Sequence, residues 1–303
     1  MKRTYTSDEL SRLHAELYDI LAETVRVCRE NDIPYFLIGG TAIGALYDEG
    51  ILPWDDDIDI GMTRPAYDRF LEVAPRCLRP GYFLQWQGTD PHSPYYFAKV
   101  RKDGTLFMED IFKHVHMHQG IFIDIFPFDR LPDGAVVRRV QRAVVNFLKC
   151  CLIGKEAWMW RHCGRSTTPE PTDRGFLPCL LTRLAVTLLP KRAIYRLTVA
   201  AQSAFNSRPT RYYNNIVTTT DHVEASALDH MDTVAFGPLR VTVPHDVEHF
   251  LRHNYPSLHR FTPEEQARIS NHCPDRLVFS GEEEVKNQAP PCRGGEGSGK
   301  SGQ

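Results

Sequence analysis

Two aspartates separated by one residue are the side chains of this sequence best suited to chemistry. Asp57 and Asp59 alternate with Ile58 and Ile60, a pattern that predicts a strand with its isoleucines turned into a sheet. Side-chain direction repeats every second residue of a strand, so the two carboxylates would share one face, with Cα atoms ~6–7 Å apart. Such a pair can hold one hard cation. Magnesium is the expected ion, with manganese as a substitute, because both prefer oxygen ligands.

A third aspartate interrupts an apolar segment. Asp124 lies within Ile121–Ile125, a run of β-forming residues that predicts a strand buried on at least one face. An unpaired charge there would be costly. A cation or a reacting hydroxyl close by would remove that cost, so Asp124 is predicted to be either the third metal ligand or a general base.

A glycine pair and two basic residues could hold phosphate beside these acids. Gly39-Gly40 follows the apolar run Tyr35–Ile38, where the chain is expected to turn sharply, and Thr41 adds a hydroxyl group. Free amides at such a turn attract phosphate. Lys99 and Arg101 would share one face of another strand and could neutralise the same phosphates. Taken singly, these motifs are ordinarily turns or surface charges, and only their combination indicates one site for a cation and a diphosphate.

Neighbouring polar residues have a plainer interpretation. Asp55 could assist the metal through a water molecule, whereas Asp56 is predicted to be solvated. His114, His116 and His118 alternate, which superficially suggests a transition-metal site. Three ligands from one extended segment make a poor closed shell, so this stretch is predicted to be a polar lead-in to the strand at Ile121.

Hydrophobic periodicity predicts the elements that position these residues. Leucines at helical spacing favour an amphipathic helix over residues 7–30, begun by a capping box of Thr6 and Glu9. Further helices are predicted over 41–48 and 65–74, where Pro75 would end the second, and from Val247 onward. Strands are predicted over 35–38, 57–60, 82–86, 98–101 and 121–125, with a hairpin strand over 236–244.

The order of these elements predicts an α+β protein in three parts. Residues 1–133 would form the catalytic core, a mixed β-sheet flanked by helices. Residues 134–280 would form a mainly helical region with a late hairpin, packed on the core, and helices would fill 134–205 apart from a polar loop over 164–175. The stretch 281–303, which includes GGEGSGKSGQ, is predicted to be a disordered tail.

Composition narrows the function classes. The 303 residues carry 36 basic and 38 acidic side chains, for a net charge of −2, which argues against nucleic acid as the main partner. Eight cysteines without a C-x-x-C pair fit reduced thiols better than a disulfide or zinc framework. Neither a signal peptide nor a membrane-spanning segment is indicated, so a cytoplasmic location is expected.

Three stretches together resemble the LicD family, whose relatives include fukutin and fukutin-related protein. They are YFLIGGTAIGALYDEGILPWDDDIDIGM (35–62), KVRKDGT (99–105) and GIFIDIFPFD (120–129), and the similarity extends over about residues 10–275. The resemblance implies a nucleotidyltransferase fold and a magnesium-dependent phosphotransferase. It further implies transfer of a phospho-alcohol, typically phosphocholine, from a CDP-activated donor to a hydroxyl of a cell-surface glycan such as lipopolysaccharide, teichoic acid or capsule.

Carried over by position, the resemblance also assigns roles to single residues. It implies that Asp57 and Asp59 bind magnesium, that Asp124 is the third carboxylate, and that Gly39-Gly40 approaches the donor phosphates. Lys99 and Arg101 match positions expected near the donor. The partners implied are a CDP-alcohol and a glycan or lipid-linked glycan, which would place the enzyme in the cytoplasm with peripheral contact at the inner membrane face.

Other functions are compatible with the same residues. A nucleotidyltransferase that adds a nucleoside monophosphate to a small-molecule or sugar hydroxyl would use the same three acids. A D-x-D glycosyltransferase would leave Gly39-Gly40 and Asp124 unexplained. A catalytically inactive nucleotide-binding scaffold is disfavoured by the intact acids at all three positions.

Overall fold

The computed structural model describes residues 4–113, 115–162, 176–218, 220–266 and 273–282. Within these ranges the chain forms a curled, mixed β-sheet with helices around it and two additional two-stranded sheets. The helices are α1 (Ser7–Glu30), α2 (Gly39–Tyr47), α3 (Arg64–Cys77), α4 (Ala135–His162), α5 (Phe176–Leu188), α6 (Lys191–Gln202), α7 (Ala225–Asp229), α8 (Val247–Asn254) and α9 (Pro263–Gln266), with 3-10 turns at Asp110–Phe112 and Ser203–Phe205. The strands are β1 (Phe36–Leu37), β2 (Asp59–Thr63), β3 (Tyr82–Gln85), β4 (Ala98–Lys102), β5 (Leu106–Met108), β6 (Phe122–Leu131), β7 (Tyr212–Asn214), β8 (Val223–Glu224), β9 (Asp232–Phe236), β10 (Leu239–Val243) and β11 (Arg276–Val278).

The predicted opening helix is confirmed as α1. The side chain of Thr6 accepts a hydrogen bond from the amide of Glu9, and the carboxylate of Glu9 accepts one from the amide of Thr6. This capping box satisfies amides that the first turn leaves unpaired. The buried face of α1, centred on Leu13, Leu17 and Leu21, joins the main hydrophobic core.

The central sheet runs in the order β1-β2-β6-β4-β3. Strands β2 and β6 are parallel, and the other neighbouring pairs are antiparallel. The C-terminal half of β6 continues into a second pairing with β7, which in turn pairs with β8. The long strand β6 therefore joins the core to the later part of the chain.

Most predicted elements are confirmed, and several boundaries differ. Strand β2 begins at Asp59, so Asp57 precedes the strand that was predicted to carry it. Helix α2 begins at Gly39, so the glycine pair forms the first residues of a helix and the predicted turn before the helix is absent there. Helix α3 continues past Pro75 to Cys77. The late hairpin is confirmed as β9 and β10, with Val241 opposite Val234.

The region after residue 134 is helical in α4, α5 and α6, as predicted. The predicted loop over 164–175 and most of the predicted tail lie outside the described residues. The three-part division of the chain stays a prediction. Cys28, Cys77, Cys150, Cys151 and Cys273 are free thiols, in keeping with the expectation for these five positions. Across the described ranges, every helix is too short or too polar to cross a membrane.

A buried ion pair fastens the core to the segment that follows α6. The guanidinium of Arg64 at the start of α3 donates two hydrogen bonds to Asp129 on β6, at 2.9 and 2.5 Å. The same carboxylate accepts a hydrogen bond of 2.6 Å from the side-chain amide of Asn206. Both charges are therefore paired and hydrogen-bonded, the condition under which a buried ion pair is tolerated.

Candidate active site

Two predicted catalytic carboxylates lie side by side on the central sheet. Asp59 on β2 is directly opposite Asp124 on β6, and Asp124 is directly opposite Lys99 on β4. Directly opposed residues of neighbouring strands point to the same face of a sheet. The next strand adds Gln85 opposite Lys99, so a row of four polar side chains crosses the sheet. The structure therefore brings together residues that are 65 positions apart in the sequence.

The remaining acids approach this row from the loop before β2. Carboxylate oxygens of Asp55, Asp56 and Asp57 lie within 4.8 Å of one another, close enough to share one cation. The charge of Asp57 also contributes to raising the pKa values of Asp55, Asp59 and Asp124. We refer to Asp55, Asp57, Asp59 and Asp124 as the carboxylate cluster.

Crowding changes the protonation of the cluster. Burial, followed by the charges of Asp57 and Asp124, raises the pKa of Asp59 well above its usual range. Burial and the charge of Asp57 raise the pKa of Asp55 to about 7. Burial raises the pKa of Asp124 to about 6, against the opposing effect of Lys99. Each of these shifts is toward the neutral form, and a nearby cation would favour the ionised form of all three carboxylates.

The cluster fits a divalent cation with oxygen ligands. Its donors are carboxylates, the ligand type of magnesium and manganese. Oxygens of the three loop acids lie within 4.8 Å of one another, and Asp59 and Asp124 are direct neighbours on β2 and β6. The raised pKa of Asp59 shows that the positive charge of the surrounding protein does not balance the acids. A bound dication would supply the missing charge.

Lys99 is a buried partner of Asp124. Its Nζ atom donates a hydrogen bond of 2.6 Å to Asp124 Oδ1, and only 3 % of the residue is exposed. The ammonium group lies 3.4 Å from the ring centroid of Phe122 and 4.4 Å from that of Tyr95, within cation–π distance. Burial lowers the pKa of Lys99, and the neighbouring Asp124 opposes that fall. That Lys99 also lies near the donor phosphates stays a prediction; the contact in the structure is with one oxygen of Asp124.

Arg101 lies on the same face of β4 as Lys99 and is also buried. Its Nε donates to Gln85 Oε1 at 2.5 Å, and its Nη1 donates to the carbonyl of Gly120 at 2.6 Å. Two of its donor groups are thus used within the protein. Its charge nevertheless contributes to lowering the pKa of Asp124. Arg101 acts on the carboxylate cluster through its field.

The glycine pair lies against the carboxylates. Gly39 has a φ of +56°, a conformation that favours glycine. A Cβ atom on Gly40 would lie 2.7 Å from Asp55 Oδ2, closer than a real contact allows. The hydroxyl oxygen of Thr41 accepts a hydrogen bond of 2.9 Å from the amide of Asp59 and so ties the start of α2 to β2. Gly40 is therefore needed for the close approach to Asp55, and Gly39 for its backbone conformation.

A carboxylate that the sequence analysis missed reaches the same glycine. Asp221 is 6 % exposed and accepts a hydrogen bond of 3.3 Å from the hydroxyl of Tyr255. Burial raises the pKa of Asp221, while the amide of Gly39 opposes that rise. The charge of Asp221 contributes to the raised pKa of Asp59. Nothing in the sequence around position 221 indicates this contact, which depends on tertiary structure alone.

The backbone that delivers Asp221 is strained. Asp221 has a φ of +63° and Ile216, a buried β-branched residue, has a φ of +67°. Such conformations persist only where the surroundings enforce them, and they concentrate at functional sites. Here the side-chain oxygens of Asn214 and Asn215 accept hydrogen bonds from the amides of Ile216 and Val217. The Asn-Asn pair is the one local signal of this turn that the sequence offers.

The acidic loop before β2 is anchored by residues at the start of the chain. The prediction that Asp56 is solvated is wrong, because the residue is 3 % exposed and its Oδ2 accepts a hydrogen bond of 3.0 Å from the hydroxyl of Tyr5. The carbonyl of Asp55 pairs with His14 Nε2 at 2.8 Å. The start of the chain through α1 thus holds the acidic loop in place, a contribution that local patterns do not reveal.

The alternating histidines do not form a common face in the described residues. His118 is buried, its amide donates to Asp90, and its Nδ1 accepts from the amide of Gly120, which leaves Nε2 to donate to Asp103 at 2.8 Å. His116 is exposed. His114 lies outside the described residues. His118 therefore has a structural role in the segment that leads into β6.

Comparison with known proteins identifies the segment that carries this site. Residues 32–141 match a family model described as "LicD/FKTN/FKRP, nucleotidyltransferase domain". Lipopolysaccharide cholinephosphotransferase LicD of Haemophilus influenzae is 51 % identical over 140 residues, which cover 44 % of this chain and 49 % of the relative. An uncharacterized protein of Rickettsia typhi is 30 % identical over 115 residues, which cover 37 % of this chain and 34 % of that protein.

The chain thus spans about half, or less, of the length of these two relatives. The matched segment nevertheless contains every residue that the sequence analysis selected for the site: Gly39, Gly40, Thr41, Asp57, Asp59, Lys99, Arg101 and Asp124. The resemblance drawn from the motifs is therefore confirmed over residues 32–141, the segment that matches the LicD family model.

Proposed function

We propose that this chain is a divalent-metal-dependent transferase that moves phosphocholine from a CDP-activated donor to a hydroxyl group of a cell-surface glycan. The supporting observation is the row of Asp59, Asp124 and Lys99 in register across three strands, with the loop acids and Gly39-Gly40 beside it. The relative from Haemophilus influenzae is a lipopolysaccharide cholinephosphotransferase by name, and this chain is 51 % identical to it over 140 residues. Phosphocholine and lipopolysaccharide are therefore the first donor group and the first acceptor to test.

Magnesium is the proposed cofactor, and Asp57 and Asp59 would hold it, with Asp55 or Asp124 completing the protein ligands. The cation, when bound, neutralises charge on the donor diphosphate and on its leaving group. Manganese has the same ligand preference and is expected to replace it. The protein contributes Asp59 and Asp124, which strand pairing holds side by side, and Asp55 and Asp57 from the loop before β2.

Asp124 is proposed to orient or deprotonate the acceptor hydroxyl. Its Oδ1 is fixed by Lys99 at 2.6 Å, which sets the direction of the carboxylate. A general base works best when its pKa lies near the operating pH, and burial brings the pKa of Asp124 to about 6. The hydroxyl would then attack the phosphorus in line, and CMP would leave.

The glycine pair is proposed to approach the donor phosphates. With no side chain at Gly39 or Gly40, a diphosphate can come close to the backbone at the start of α2 and to the carboxylates together. The amide-rich start of a helix favours a negative group. This placement would bring the transferred phosphorus close to Asp124 and to the bound cation.

The proposed acceptor is a glycan or lipid-linked glycan, and the proposed location is the cytoplasm, with contact at the inner face of the membrane. Exposed valines recur every four residues on α4: Val136 is 71 % exposed, Val140 59 % and Val144 44 %. Arg138 and Arg139 lie among them. An aliphatic stripe flanked by arginines has the composition of a helix that rests on an anionic bilayer.

Substitution of the cluster acids tests the proposal. Purified protein is incubated with magnesium, lipopolysaccharide and CDP-choline, and release of CMP is measured beside CDP-ribitol, CDP-glycerol and CDP-ethanolamine. We expect Asp57→Asn and Asp59→Asn to lower turnover by at least ~10²-fold without loss of folding, the size expected when a charge that stabilises the transition state is removed. Near-normal turnover in both variants would refute the metal assignment.

Nucleotidyl transfer is the second candidate, because the matched family model is described as a nucleotidyltransferase domain. The same acids would serve that reaction, but the acceptor would gain a whole nucleotide. Mass spectrometry of the product separates the two reactions directly. A binding protein without activity would instead give a heat of CDP-choline binding and no CMP with any acceptor.

A further inference from the structure

A second cluster of ionisable side chains, opposite in sign to the carboxylates, lies where α4 meets β7 and α8. The rings of Tyr212 and His253 are stacked with centroids 5.4 Å apart, and the ring of His222 lies 6.2 Å from Tyr212 and 6.5 Å from His253. Arg142 and Arg138 on α4 act on His222 by charge. We call Arg138, Arg142, His222 and His253 the basic cluster.

Arg142 is the unusual member of this cluster. Its Nε and Nη2 atoms are buried and have no hydrogen-bond partner in the described part of the chain. His222 Nε2 is likewise buried without a partner there. Hydrogen-bond donors removed from water without an acceptor are costly, and a guanidinium is costlier than a neutral group. Three unsatisfied nitrogens therefore lie on two side chains that interact with each other by charge.

The neighbouring carboxylates are engaged elsewhere. Glu224 on β8 accepts a hydrogen bond of 2.9 Å from Arg211. Asp221 is next to His222 in the chain, but its carboxylate contacts Tyr255 and faces the amide of Gly39. Burial and the two arginines lower the pKa of His222 to about 4, which is the behaviour of a histidine in a positive field with no acid to offset it. Among the described residues, no carboxylate is one of the groups that shift the pKa of His222.

We propose that the basic cluster binds a phosphate group, supplied either by a phosphorylated sugar or as inorganic phosphate. A phosphate offers several acceptor oxygens and two negative charges. The planar guanidinium of Arg142 can donate two parallel hydrogen bonds to it, while the imidazole of His222 donates a third and Arg138 adds charge.

This site is separate from the carboxylate cluster and does not depend on the proposed transferase activity. Asp221 and His222 are successive residues, but their side chains have different partners. Asp221 accepts from Tyr255 and faces the amide of Gly39, whereas His222 interacts by charge with Arg142 and Arg138. A phosphate here would occupy a position that the donor diphosphate does not.

Binding of inorganic phosphate to the full chain tests the proposal. The titration is done in excess EDTA at constant ionic strength with chloride as the control anion, so that no metal links phosphate to the carboxylates. We expect calorimetry to show saturable binding and NMR to show a shift of the His222 imidazole signal. Arg142→Gln should weaken binding at least tenfold. Arg139→Gln, which removes an exposed arginine of the same helix, should change it less than twofold.

Thermal unfolding separates a binding role from a structural one. Without phosphate, Arg142→Gln should melt at a higher temperature than the unaltered chain, because a buried unpaired cation has been removed. Phosphate should raise the melting temperature of the unaltered chain and of Arg139→Gln, but not that of Arg142→Gln. If Arg142 has a structural role, Arg142→Gln will melt at a lower temperature than the unaltered chain without phosphate. That result would overturn the assignment.

A second titration identifies the source of the phosphate group. Glucose 1-phosphate is compared with glucose and with inorganic phosphate. At least tenfold tighter binding of the sugar phosphate than of inorganic phosphate would identify a phosphorylated sugar as the ligand, and equal binding would identify inorganic phosphate. The proposal fails if phosphate gives neither heat nor a shift, or if Arg139→Gln and Arg142→Gln weaken binding equally.

Discussion

Replacing Asp55 by asparagine should stabilise the metal-free protein at neutral pH. The carboxyl group of Asp55 has a pKa of about 7 in the folded chain against an ordinary value of 3.8, because of burial and then the charge of Asp57. A difference of roughly 3 pKa units at about 1.4 kcal/mol each sets a ceiling of roughly 4 kcal/mol on the cost of ionising this group in the fold. Asp55 is partly exposed, so we expect about half of that, ~2 kcal/mol in the free energy of unfolding.

The sign of the pH dependence follows from the same values. Between pH 3.8 and about 7 the folded chain holds a proton on Asp55 that the unfolded chain has released. The stability of the unaltered protein therefore falls as pH rises through this window. The advantage of Asp55→Asn should be fully developed at pH 8 and should shrink by roughly fourfold at pH 4.5, because that pH lies close to the unfolded-state pKa and little of the difference in stability has accumulated there.

The assay is urea unfolding in EDTA at pH 4.5, 6 and 8, followed by circular dichroism. Asp229→Asn, which alters an exposed aspartate, serves as the control and should stay within about 0.5 kcal/mol of the unaltered protein at each pH. Magnesium at a hundredfold excess over its dissociation constant should stabilise the unaltered chain by about 2.7 kcal/mol and close the gap. If Asp55→Asn is destabilised in EDTA at pH 8, or if the difference does not vary with pH, the account of the carboxylate cluster is wrong.

Three further predictions concern the glycine pair, the missed carboxylate and α4. Gly40→Ala should weaken magnesium binding about tenfold, since its Cβ would fall 2.7 Å from Asp55 Oδ2, while Gly134→Ala, with 3.7 Å of clearance, should leave it unchanged in calorimetry. Asp221→Ala should lower kcat/KM roughly tenfold with the fold intact by circular dichroism, because the amide of Gly39 loses the carboxylate it faces. Full activity would show that Asp221 does not support the site. Val140→Ser should reduce the amount of protein that pellets with phosphatidylglycerol vesicles, because the exposed valine adds apolar area to a basic helix. The weak pelleting with phosphatidylcholine vesicles should not change. Equal pelleting with both lipids would contradict the membrane contact.

The central sheet could be predicted from the sequence because its signals are local. Alternation of isoleucine with aspartate fixes which face Asp59 occupies, and one acid in the apolar run of β6 fixes the face of Asp124. Two such patterns give the faces but not the register between strands. That both acids occupy the same row is a fact of strand pairing, which the structure supplies.

The contacts that the sequence could not reveal join distant parts of the chain. Tyr5 holds Asp56, and Asp221 faces Gly39 across more than 180 residues. Each depends on where a helix or loop packs, and neither has a periodic signature. The pairing of Lys99 with Asp124 could not be predicted for a related reason. A lysine two residues from an arginine on a strand looks like a pair of surface charges until the neighbouring strand is known to carry Asp124.

The pairing of Lys99 with Asp124 assigns different tasks to two chemically identical side chains. A buried ion pair seldom stabilises a protein more than apolar residues of the same size would. Stability therefore does not explain why the Lys99–Asp124 pair lies in the carboxylate row. Lys99 is a direct neighbour of Asp124 across the sheet and not of Asp59, whose field is set by Asp57, Asp124 and other acids. In the metal-free protein at neutral pH, Asp124 is therefore the carboxylate more readily ionised and Asp59 the one that holds its proton. When the environments of two carboxylates separate their pKa values in this way, the two groups suit different roles. The one that is ionised without metal can act as a base, and the one that ionises when a cation binds can act as a metal ligand. This difference favours Asp124 as the group that receives the hydroxyl proton and Asp59 as the group that binds the metal.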